Sequence, residues 1–95
     1  MINWKTETRK ISELKGWNKN PRKIKADKLD ELSRSIEELG NFEPLVINLD
    51  NTVISGNQRL KVYQRQGVQK VDVYVPDRQL EEKEVKKIGL LANRH

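Results

Sequence analysis

Between Pro44 and Gly67 the chain changes its hydrophobic period once, and one glycine marks the change. Pro44-Leu45-Val46-Ile47-Asn48-Leu49 reads as a strand, Asp50-Asn51 as a two-residue hairpin turn, and Thr52-Val53-Ile54-Ser55 as the antiparallel partner. Gly56 follows at once, and from about Asn57 to Gln66 the pattern is that of a helix, stopped by Gly67. A strand that ends in glycine and passes straight into a helix aims backbone N–H groups and the positive end of the helix dipole at one spot. Arg59 brings a guanidinium to the same place, and such a spot suits a phosphate.

Each residue there also has a structural explanation to weigh. Ser55 and Gln58 fit an S-x-x-Q capping box, each satisfying the other's backbone donor. Gly56 suits a reversal that needs positive φ. Arg59 is the residue that capping does not explain. A cation in the first turn opposes the helix dipole unless an anion or a carboxylate compensates it.

The rest of the chain frames this unit. Ile11 and Leu14 are expected to point inward from a short strand or turn over residues 8–14. A loop from Lys15 to Lys25 follows, marked by Gly16, Asn18, Asn20 and Pro21, with Asn20 biased to extended backbone by the proline after it. Leu29, Leu32, Ile36 and Leu39 predict one apolar face on a helix over 26–39, ended by Gly40-Asn41. Val71-Asp72-Val73-Tyr74-Val75 alternates as a third strand. A last helix is expected over about 80–92, with Leu80, Val85, Ile88 and Leu91 inward. This order predicts one α+β domain, a small mixed or antiparallel sheet with three helices beside it.

Composition narrows the function classes. At 95 residues with 35% hydrophobic side chains the core is modest, but the apolar residues fall in periodic blocks, which argues for a folded domain. The chain has no cysteine, so disulfides, thiol catalysis and thiolate metal sites are excluded. No run is long enough to span a bilayer and no signal-peptide pattern is seen, so a cytoplasmic protein without membrane contact is expected. Of the net charge of +5, residues 1–28 carry nine Lys/Arg against three acids, while the remainder is near balance. Lys15, Lys19, Arg22, Lys23 and Lys25, with Trp17 among them, read either as a nucleic-acid-binding patch or as a solvated surface loop.

In order and spacing the chain resembles the ParB/sulfiredoxin superfamily, in particular the ParB N-terminal, or ParB-like nuclease, domain. The resemblance rests on Ile11-Ser12-Glu13-Leu14 followed by Asn20-Pro21-Arg22, on the Pro44-Leu45-Val46-Ile47 strand, and on Val53-Ile54-Ser55-Gly56. Gly56-Asn57-Gln58-Arg59 stands where ParB proteins have G-E-R-R and sulfiredoxins G-C-H-R, and Leu91-Ala92-Asn93-Arg94 resembles the family's closing "EN.QR". The family implies a CTP-binding switch on DNA (ParB) or an ATP-using enzyme (sulfiredoxin). It therefore implies a nucleoside triphosphate, CTP or ATP, with Mg²⁺, and DNA as a partner. Carried over, the phosphate pocket would comprise Gly56, Asn57, Gln58 and Arg59, with Asn20, Arg22 and Asn93 nearby.

The departures matter as much. Position 57 is Asn where sulfiredoxins carry their catalytic cysteine, which rules out that chemistry. Ala92 replaces the ParB glutamate associated with metal and hydrolysis, and Gln58 replaces the first arginine of G-E-R-R. The ending at His95 looks like a domain boundary where related phage or mobile-element proteins continue, for example into a DNA methyltransferase or DNA-binding domain. The expected function is a module that binds a nucleotide or nucleic-acid phosphate in DNA transactions such as partition. Two alternatives stand beside it. One is a nuclease or nucleotide-dependent phosphotransferase drawing on Glu13, Asp27, Glu43 or Asp77, none at diagnostic spacing and none assignable as catalytic or metal-binding. The other is a protein-interaction module using Trp4 and Trp17.

Overall fold

The computed structural model describes residues 1–17, 25–40 and 43–92. Five strands and three α-helices alternate along them: β1 (Trp4–Lys10), a 3₁₀ turn (Ile11–Glu13), β2 (Lys15–Gly16), α1 (Ala26–Leu39), β3 (Leu45–Ile47), β4 (Thr52–Ser55), α2 (Asn57–Gln66), β5 (Lys70–Pro76) and α3 (Glu82–Ala92). The sheet order is β1-β5-β3-β4-β2 and the sheet is mixed. β1 with β5 and β3 with β4 are antiparallel; β3 with β5 and β2 with β4 are parallel.

Alternation along the central strands sends side chains into two separate layers. Leu45, Ile47, Val53, Val71, Val73 and Val75 join Ile11, Leu14, Leu60 and Tyr63 in the main core, with Ile36 of α1 and Val68 packed against it. Ile54 faces the other way, where it meets Leu80 and Val85, with Ile2, Trp17, Val46 and Ile88 packed alongside. That second layer has three fully buried apolar side chains, each contributing about 1.5–3 kcal/mol, so polar ties matter there.

One such tie is Asn48, 4% exposed at the end of β3. Its Nδ2 donates to the Leu80 carbonyl at 3.1 Å, and its Oδ1 accepts from Leu80 N–H at 2.8 Å and Leu49 N–H at 3.0 Å. The segment leading into α3 is thus fastened to the β3–β4 hairpin by a side chain that a period-two pattern does not distinguish. At the start of α3, Glu84 accepts from Glu81 N–H at 3.1 Å and pairs with both terminal nitrogens of Arg78 at 2.9 and 2.6 Å. The Arg78 guanidinium first, then the Glu81 N–H, holds the Glu84 carboxyl well below its ordinary 4.5, at about 2.

Several expectations are met: α1 and α2 have the expected bounds, Ile11 and Leu14 are buried, and β3 and β4 form the hairpin. Others are corrected. The hairpin loop is not a two-residue Asp50-Asn51 turn. Asn51 N–H bonds to the Asn48 carbonyl at 3.0 Å, enclosing Leu49-Asp50, and Asn51 itself takes φ +70°. The Asp50 carboxylate accepts from Thr52 N–H at 3.0 Å, which holds the loop in that longer form. β1 begins at Trp4, earlier than the turn signals suggest, because an edge strand paired along its whole length with β5 needs no apolar alternation of its own. α3 starts at Glu82, so Leu80 is buried ahead of the helix. Its inward stripe is Val85, Ile88 and Gly89, and Leu91 is 59% exposed, as is Leu39 at 64% on α1.

Asn48→Ala leaves the buried Leu80 N–H and carbonyl without partners and should cost about 2–4 kcal/mol, read from urea denaturation. Arg78→Ala should return the Glu84 carboxyl toward 4.5, read from side-chain ¹³C shifts against pH. Because Glu84 is depressed in the folded state, the contribution of the pair is complete above about pH 4.5 and is lost as pH falls toward 2. The stabilities of wild type and variant should therefore converge at the acid end.

Candidate functional site: the β4–α2 junction

The chain leaves β4 at Ser55, reverses at Gly56 and enters α2 at Asn57. Gly56 has φ 99° and is the N-cap of the helix. A Cβ at this position would overlap the Leu45 side chain and lie 2.9 Å from Arg59 Nη2. The backbone therefore approaches β3 as closely as it does because position 56 has no side chain. The expected Ser55–Gln58 capping box is not formed. Ser55 is the last residue of β4, the cap falls one residue later on a glycine, and no side chain makes the cap hydrogen bond. The first intrahelical bond is Leu60 N–H to the Gly56 carbonyl at 2.9 Å. The helix thus presents its opening turn without a side-chain cap at Gly56, the arrangement that favours an external anion.

Arg59 closes over this junction. Its Nη1 donates to the Glu43 carbonyl at 2.6 Å and is 3.3 Å from Glu43 Oε2. Its side chain is 18% exposed, whereas that of Glu43 is 67% exposed. The compensating anion expected for a first-turn arginine is therefore present within the chain. Tyr63, one helical turn after Arg59, is buried, and burial pushes its phenol above the ordinary 10 while Arg59 pulls it down and Glu43 pushes it up. Tyr63 thus lies within the field of the Arg59–Glu43 pair.

Asn57 has a different place from the one its neighbours suggest. It is 8% exposed; Oδ1 accepts from Trp17 N–H at 2.9 Å and Nδ2 donates to the Val53 carbonyl at 3.0 Å. The side chain ties the chain just past β2 to the β4–α2 junction. The Asn57 tie lies two residues from Lys15, where the basic segment begins. Lys15 and Lys25 are exposed at its two ends, on β2 and at the N-cap of α1. Asn20, Arg22, Lys19, Lys23 and Asn93 lie outside the described residues.

The other sequence candidates are dispersed. Glu13 accepts from Lys10 N–H, Asp27 from Lys28 N–H, and Asp77 from Asn3 Nδ2, each on a different element, while Glu43 is engaged by Arg59. Among the described residues no three His, Cys, Asp or Glu side chains are grouped as metal ligands. A glycine N-cap with the Arg59 guanidinium packed against it has donor chemistry that suits phosphate, and the described residues bring together no carboxylate set for Mg²⁺. Trp17 packs in the second layer, with Gly89 beside its ring, and Trp4 is 38% exposed on β1. No described helix is long and apolar enough to cross a membrane.

Sequence reading missed Glu43 as the partner of Arg59, Leu45 beneath Gly56, and the inward role of Asn57. Only Tyr63 had a signal, its i, i+4 spacing from Arg59. Gly56→Ala should cost about 2–4 kcal/mol, combining left-handed strain with overpacking. Gly67→Ala, at φ 71° with nothing within 4 Å of its Cβ, should cost only the conformational part, about 1–2 kcal/mol. Chemical denaturation of both variants isolates the contribution of the Leu45 and Arg59 contacts.

Solved structures share this architecture. ParB from Caulobacter crescentus complexed with CTP-gamma-S superposes with TM-score 0.83 at 26% identity, over 95% of this chain and 53% of that one. A pNOB8-like ParB N-domain matches with TM-score 0.82 at 20% identity, covering 98% of this chain and 35% of the other. Sulfiredoxin from Arabidopsis thaliana, at TM-score 0.65 and 19% identity over 90% and 97% of the two chains, shares the fold. The chain spans about half the length of that Caulobacter ParB chain, which is itself C-terminally truncated. No curated protein sequence matches it. The model of the ParB N-terminal domain matches residues 4–94, nearly the whole chain, and the chain belongs to that family.

Proposed function

We propose that this chain is a nucleotide-binding module of the ParB type, holding the phosphates of a nucleoside triphosphate at Gly56–Arg59 and acting in DNA transactions. The observation that carries the reading is the α2 N-terminus: its N-cap is a glycine with no side-chain cap hydrogen bond among the described residues, and the Arg59 guanidinium packs against Gly56 where a Cβ would otherwise stand. Family membership and the 26% identical ParB complexed with CTP-gamma-S support CTP as the first ligand to test, ahead of ATP. Mg²⁺ would enter with the triphosphate. The same Caulobacter protein is complexed to the centromeric parS site in another solved structure, which supports DNA as the second partner. The basic segment from Lys15 to Lys25 is the surface proposed for DNA, with partition or mobile-element DNA metabolism as the setting. A cytoplasmic location fits this reading. Binding is proposed rather than hydrolysis, because the carboxylates that would carry a nuclease or phosphotransferase reaction are scattered and engaged.

Titration of ¹⁵N-labelled protein with CTP, ATP, GTP and a duplex oligonucleotide tests the reading. CTP should move the amides of residues 56–60, Arg59→Ala should weaken that response by more than tenfold with the fold intact, and added salt should weaken it in wild type. Equal responses in wild type and variant, or silence at residues 56–60 with every nucleotide, would sink it.

A further inference from the structure

One residue holds the Arg59 guanidinium through two contacts of different kinds. The Glu43 carbonyl accepts from Nη1 at 2.6 Å, and Glu43 Oε2 lies 3.3 Å from the same nitrogen. The carbonyl is part of the backbone two residues before Leu45, which is fully buried and registered opposite Val73 in the sheet. The carboxylate is at the end of a side chain that is 67% exposed, so rotation into water releases it without disturbing the sheet. Arg59 has no such freedom: it is largely covered, with Nη2 lying against Gly56. The guanidinium is therefore positioned by a fixed carbonyl and neutralised by a releasable carboxylate.

We propose that Glu43 is an internal competitor at the Gly56 site, an anion that a bound phosphate displaces from Arg59. The inference rests on the phosphate-binding reading above. Two anions on one guanidinium repel each other, and the repulsion grows with the charge of the ligand. A weakly charged ligand leaves Glu43 in place and binds poorly. A polyphosphate replaces the single oxygen contact with charge-assisted hydrogen bonds, and Glu43 moves out to solvent. In this arrangement the carboxylate competes with every incoming anion, most with the most highly charged, while the carbonyl keeps Arg59 aimed throughout.

The test uses CMP, CDP, CTP and inorganic tripolyphosphate, titrated by calorimetry against wild type, Glu43→Gln and Arg59→Ala. Glutamine keeps the length of the side chain and the backbone carbonyl while removing the charge. Glu43→Gln should bind CTP and tripolyphosphate about three- to tenfold more tightly than wild type, with a gain that falls from CTP to CDP to CMP. In ¹³C-labelled wild type, the Glu43 carboxyl resonance should move as tripolyphosphate is added. Unchanged or weaker binding by Glu43→Gln, where wild type binds and Arg59→Ala does not, overturns the role of Glu43 and leaves the phosphate site standing. A gain equal for all three nucleotides, or a carboxyl resonance that stays still while ligand binds, also overturns it. Absence of binding of every probe to wild type and Glu43→Gln alike overturns the phosphate reading together with this one.

Discussion

At Gly56 the backbone turns left-handed with the Leu45 side chain against the space a Cβ would fill, and β4 becomes α2 within a single residue. Much of the molecule is set by that close approach. The helix lies on the sheet at an angle that buries Leu60 and Tyr63 among the β3, β4 and β5 side chains, which is the main core. The cap falls on a residue that has no side chain to cap with. Arg59, three residues on, folds back across the same junction to reach Glu43, just ahead of β3. Fold and candidate site are thus two results of one missing side chain.

The two faces of the sheet are held by different means. On the α1–α2 side ten buried residues form a continuous apolar cluster, and packing dominates. On the α3 side three buried residues are supplemented by hydrogen bonds of defined geometry: Asn48 to Leu80, and Asn57 to Trp17 and Val53. Two asparagines fix what a larger apolar cluster would otherwise fix. Each replaces backbone pairing at a place where a strand has ended, and no buried side-chain polar atom among the described residues lacks a partner.

This division explains what could be read from the sequence. Helical periodicity and glycine stops gave α1 and α2 their bounds, because those signals are local and each helix shows one apolar stripe to one layer. Gly56 and Arg59 stood out because each violates a local preference. β1 was hidden, since its pairing energy comes from β5, sixty-odd residues away, and its side chains are mostly exposed. Asn48 and Asn57 were opaque for a related reason: an asparagine in a turn and one buried against a distant backbone are the same letter. Glu43 was read as a candidate acid, and only the fold brings it to Arg59.

α1 has no fully buried residue and meets the rest largely through α2, with Gln66 donating to the Ser33 carbonyl and hydroxyl and Arg65 pairing with Asp30. It is the described α-helix with no buried residue, so its detachment would strip little apolar surface from the sheet. Its C-cap, Gly40, is only three residues from Glu43 along the chain. Undocking of α1 would therefore slacken the tether of the carboxylate on Arg59 while β3, β4 and α2 stay assembled. The helix held with least burial is thus a close neighbour in sequence of the carboxylate that neutralises Arg59.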